Sequence, residues 1–69
     1  MNDTDAATRR DDYLRRLDAA IGALPHGVAA EIRSGVAEEL AGLEGESLRE
    51  RIVQLGAPED IAREAADAL

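Results

Sequence analysis

Four kinds of residue in this 69-residue chain could carry chemistry, and each needs a partner that the sequence does not place beside it. His26 is the only histidine and there is no cysteine. A zinc site takes three or four nitrogen, sulfur or oxygen ligands, so His26, beside Pro25 and Gly27, reads as a structural or solvent-exposed residue. Glu38 and Glu39 are neighbours, and on a helix neighbours point about 100° apart, so they do not converge as a general acid and base. Ser47 has no histidine base in its context and reads better as a helix cap. A glycine-rich phosphate loop would have to follow a strand, and the hydropathy pattern gives none. The expectation is a protein that is not an enzyme and has no cofactor or metal.

Composition narrows the class further. The chain carries 15 acidic residues against 8 arginines and no lysine, for a net charge of −7. Most of that excess falls after Leu24, where phosphate backbones and anionic lipid surfaces would be repelled; direct nucleic-acid or membrane binding is not expected. A basic protein partner is compatible with the charge. The first residues are polar and acidic, unlike a secretory leader, and no window is apolar enough for a membrane span. High alanine and arginine with no lysine suggests a GC-rich bacterial genome.

The apolar fraction of 45% overstates the core, because 14 of those residues are alanine and only 15 are Leu, Ile or Val. One small domain with so few branched side chains and no disulfide is near the lower limit for independent stability. Help from a partner, a homodimer or flanking sequence is therefore expected.

Periodicity predicts four helices, an all-α bundle of three main helices plus a short fourth. Met1 to Ala7 reads as a frayed, disordered tail. Thr8-Arg9-Arg10-Asp11 resembles a capping box, after which Leu14, Leu17, Ile21 and Leu24 repeat at helical spacing, flanked by Tyr13 and Ala20. Asp11–Arg15 and Asp12–Arg16 are expected as i,i+4 ion pairs on the other side. Pro25 ends this helix. The second, from His26 or Gly27 to Gly42 or Leu43, carries Val28, Ile32, Val36, Leu40 and Leu43 on one stripe.

Glu31 and Glu38 flank that stripe beside Gly35 and Gly42, and these glycines would either notch the helix for a close-packed partner or simply weaken it. Ser47-Leu48-Arg49-Glu50 reads as a second capping box opening the third helix, with Leu48, Ile52 and Leu55 inward. Val53 faces away from them, as a second contact or a lone exposed apolar residue. Gly56 then suits the left-handed position after a helix, Pro58 the first position of the next, and Glu59 and Asp60 its positive dipole end. The fourth helix presents Ile61, Ala62, Ala65, Ala68 and Leu69, a stripe that either docks back on the bundle or runs on past Leu69.

Tyr13-Leu14, Leu17, Ile21, Leu24-Pro25, Glu31-Ile32, Val36, Leu40 and Leu55-Gly56-Ala57-Pro58-Glu59-Asp60-Ile61-Ala62 together resemble the HAAS signalling domain, a small bacterial α-helical family. The likeness spans Tyr13 to about Ala66. Leu24, Pro25, Leu55, Gly56, Pro58, Glu59 and Ile61 match the family motif and are structural, so residues 8–69 read as a single HAAS-like domain. The resemblance implies a cytosolic module, often preceding membrane spans and often encoded beside a PadR-like transcription regulator, which couples signalling at the membrane to gene expression by protein contact. Two departures stand out. Ala57 occupies the position where Ser, Thr or Asp would cap the fourth helix, and no span follows Leu69, as in an excised or stand-alone member.

The expected function is therefore a non-enzymatic protein-interaction module, cytoplasmic or at the cytoplasmic face of the membrane. Its candidate contact surface is Glu31, Gly35, Glu38 and Glu39, with a PadR-like regulator as partner. The rival reading is a structural homo-oligomerisation domain of a membrane-protein assembly.

Overall fold

A computed structural model describes the backbone of residues 2–69 and the side chains from residue 7 onward. Four helices follow one another: α1 (Asn2–Ile21), α2 (His26–Leu40), α3 (Gly45–Leu55) and α4 (Pro58–Ala68). No strand occurs among the described residues. The 20-residue α1 is the spine; α4, α2 and α3 all pack on it, α4 most extensively. α4 has 11 residues, the same length as α3.

The core is the set of side chains that these helices turn toward α1. Tyr13, Leu17, Ile21, Val36, Leu40, Leu48 and Ala62 are buried, with Leu14, Leu24, Ile32, Leu43, Ile52, Leu55 and Ile61 packed around them. On α1 the buried line is Tyr13, Leu17 and Ile21, each four residues after the last. Tyr13 is thus a core residue, whereas Leu14 and Leu24 sit at the edge. Val53 is 74% exposed and is not buried by a second contact among the described residues, and Leu69, 70% exposed, does not dock back on the bundle.

Three helix boundaries differ from the sequence reading, each for a local reason. α1 is helical from Asn2, so Thr8 lies inside it and caps nothing. Ala6 and Ala7 favour this extension, being the best helix formers. Met1 and the side chains of residues 2–6, most of the expected tail, lie outside the described residues. Gly42 falls beyond α2 with φ +79°, a turn conformation glycine adopts without cost, and not in a helix interior. Gly45, at φ +56°, turns the chain into α3 two residues ahead of Ser47, which leaves Ser47 inside the first turn and Glu44 at the N-cap.

Ala57 is the N-cap of α4, with extended backbone (φ −69°, ψ 138°) and no side-chain bond to the helix. Its carbonyl accepts the Asp60 and Ile61 amides at 3.0 and 3.3 Å, but its own side chain has no oxygen to offer the first-turn N–H groups. Ala57→Ser is expected to stabilise the fold by about 1 kcal/mol. In a domain of this size that raises the thermal midpoint by about 4–8 °C, readable by circular dichroism; an unchanged midpoint would show this helix end already satisfied.

Candidate functional site

Two features organise the surface: a clasp that fixes the α3–α4 corner against α1, and an acidic ridge on α2. The clasp begins with Gly56, whose amide donates to the Ile52 carbonyl at 3.1 Å, closing α3. Its own carbonyl accepts the Tyr13 hydroxyl at 2.8 Å. One turn further along α1, Arg16 donates to the Glu59 carboxylate at 2.9 and 3.4 Å. The chain's one aromatic residue and one arginine thus hold the corner that the Leu55-Gly56-Ala57-Pro58-Glu59 motif builds. Arg16 is consequently not paired with Asp12, as i,i+4 spacing suggested; Asp12 lies 3.6 Å from Arg15 instead, and the expected Asp11–Arg15 pair is replaced.

A second long-range contact escaped the sequence reading. Arg10 donates through Nε to the Leu40 carbonyl at 3.3 Å and through Nη2 to the Leu43 carbonyl at 2.6 Å. The last turn of α2 carries no basic residue of its own, so α1 supplies the cation that the Leu40 carbonyl and the negative dipole end favour, and that also meets Leu43 in the turn beyond. The missing cation in α2 was the only hint of this in the sequence.

Titration follows from the clasp. Burial pushes the Tyr13 phenol above its ordinary value; Arg16 opposes this and Glu59 adds to it. Its neutral form is therefore favoured by folding. That stabilisation is complete below about pH 10 and is lost as pH rises through the raised folded value, since a phenolate cannot donate to Gly56. A near-ultraviolet titration reads this directly, because Tyr13 is the sole aromatic side chain. Ionisation is expected to coincide with loss of helix, and Tyr13→Phe to remove that alkaline step; ionisation at the ordinary value without unfolding would contradict it. Glu59 is held below the usual carboxylate range, first by a backbone N–H bond of its own residue and then by Arg16. Its contribution is present above the ordinary carboxylate value and fades as pH falls through the lowered one.

On α2, Glu31, Gly35, Glu38 and Glu39 are all exposed. Glu31, Gly35 and Glu38 stand at i, i+4 and i+7, and so share one face. Glu39 lies around the helix from them, 3.3 Å from Arg51 of α3, and is drawn into a pair within the bundle. Among the described residues neither Glu31 nor Glu38 has an ion-pair partner. A Cβ on Gly35 would meet nothing within 4 Å, so no helix among the described residues uses the gap.

The chemistry-bearing side chains remain apart. His26 stands exposed at the first residue of α2 and Ser47 on the outer side of α3. Among the described residues no three of His, Cys, Asp and Glu gather into a group that could hold a metal ion. No described helix is long and apolar enough to cross a membrane.

The architecture defines a small all-α domain whose long first helix carries three shorter ones, the last two joined at a Gly-Ala-Pro corner. More particularly, the chain belongs to the HAAS family: the family model HAAS matches residues 12–64, from the middle of α1 into α4. The matched span contains the Tyr13–Gly56 and Arg16–Glu59 clasp and the α2 ridge, while Arg9 and Arg10 precede it. No curated protein and no solved structure matches the chain.

Proposed function

We propose that this chain is a non-enzymatic bacterial signalling module that binds a PadR-like transcription regulator through α2 and couples it to a membrane-associated system. Membership of the HAAS family supports the class of role, and the cytoplasm or the cytoplasmic face of the membrane is the compartment such a role needs. The observation that carries the binding site is the α2 ridge. Glu31 and Glu38 present two exposed carboxylates with no cation beside them among the described residues, on either side of a residue without a side chain. Exposed like charges two turns apart contribute nothing to the fold and suit a basic partner surface.

The test is a binding titration against a PadR-like transcription regulator of the same host, at two salt concentrations. Glu31→Arg with Glu38→Arg is expected to weaken binding about tenfold or more and to remove its salt dependence, with the helical content unchanged. Equal affinity and equal salt dependence in the variant would exclude α2 as the site.

A further inference from the structure

A groove between α1 and α3, about 300 Å³ in volume, is lined by Arg9, Asp12, Tyr13, Arg16, Arg49, Ile52 and Val53. Its apolar lining includes Val53, the most exposed large hydrophobic side chain among the described residues. Its rim holds three arginines against one aspartate, in a protein whose net charge is −7. Arg16 and Arg49 also touch Glu59 and Glu46, but both pairs are solvent-exposed, and a guanidinium has five donors to share. Among the described residues nothing covers Val53.

The register of the rim matches one other surface of the same molecule. Arg9 and Arg16 stand seven residues apart on α1, two turns or about 10 Å along the axis. Glu31 and Glu38 stand seven residues apart on α2, with Gly35 between them as Tyr13 lies between the two arginines. A helix carrying that face can oppose both carboxylates to both guanidiniums while the bare backbone at Gly35 leaves room for Val53. Arg49, one turn before Val53 on α3, borders the same contact.

We infer that the chain associates with itself head to tail, the α2 face of one copy seated in the α1–α3 groove of the next. The contact is heterologous, since the two surfaces differ, so every assembly keeps one free face of each kind at its ends and growth stops only if a ring closes. Its ion pairs are exposed and its apolar anchor is one valine, which makes it weak and salt-sensitive. It does not rest on the regulator reading, although a copy seated in the groove hides the ridge that the regulator would use.

The test is sedimentation or light scattering of the purified chain up to about 1 mM, at about 50 mM and about 500 mM salt. The mass is expected to rise with concentration at low salt and to fall back to that of one chain at high salt. Arg9→Glu with Arg49→Glu, Glu31→Arg with Glu38→Arg, and Val53→Ser each alter only exposed residues and are each expected to abolish the rise. Mixing the two charge-reversed proteins is expected to restore pairing, because the unaltered α2 face of the groove variant fits the unaltered groove of the ridge variant. A single-chain mass at every concentration would overturn the inference. So would association that survives the Glu31/Glu38 reversal but not Val53→Ser, which would mean valine packing on valine. A chain that stays single and instead binds anionic phospholipid vesicles through Arg9 and Arg49 would assign the groove to a lipid surface and overturn it as well.

Discussion

Leu17→Ala is expected to cost about 2–5 kcal/mol and to leave most molecules unfolded at room temperature. Leu17 is fully buried in the C-terminal half of α1, the helix on which all the others pack. Alanine is the better helix former, so nothing is lost in local propensity; the whole effect is lost burial and the cavity left behind. A domain of this size rarely holds more than about 3–5 kcal/mol in its core, so one such cavity consumes most of it. Urea titration followed by circular dichroism measures the loss. Val53→Ala, at a site 74% exposed, is the control and should change stability by less than about 0.5 kcal/mol. A Leu17→Ala protein within 1 kcal/mol of the parent, on the order of a surface change, would mean that the helices do not share a packed core.

The second large effect concerns the corner. Gly56 has φ +80° and ψ −168°, a region essentially closed to residues with a Cβ. Gly56→Ala is expected to cost about 1–3 kcal/mol in backbone strain. Space is not the cause, since a Cβ there would meet nothing within 4 Å. Relief by rotating the backbone is blocked from both ends, because the amide is bonded to Ile52 and the carbonyl to Tyr13. Gly35 supplies the opposite case: it is exposed and helical, so Gly35→Ala should stabilise by about 1 kcal/mol. Equal and small effects at the two glycines would show that the corner conformation is not the one described.

What could be read from the sequence follows the range of the interaction involved. The stripes Ile32-Val36-Leu40 and Leu48-Ile52-Leu55 identify their helices because burial recurs every three or four residues whatever the neighbouring helix is. Gly56 and Pro58 locate the corner because their backbone preferences are local. Thr8 and Ser47 misled for the converse reason: a cap signature says where a helix can begin, and alanine-rich sequence before Thr8 and the left-handed Gly45 before Ser47 let each begin earlier. Arg10 on the α2 carbonyls and Arg16 on Glu59 join residues 30–43 positions apart, and depend on which helices become neighbours. Periodicity did place Glu31, Gly35 and Glu38 on one face, but it could not show that Arg51 would draw Glu39 away.

The central claim, that this HAAS-family domain works by contact with a transcription regulator, is tested most directly by co-purification from its host. Tagged parent chain and the Glu31→Arg, Glu38→Arg double variant are compared at low and moderate salt, and the retained proteins are identified by mass spectrometry. The account predicts a PadR-like regulator held in near-stoichiometric amount by the parent chain, weakened by salt and absent from the double variant. Recovery of the same proteins with both chains, or of the domain alone, would contradict it.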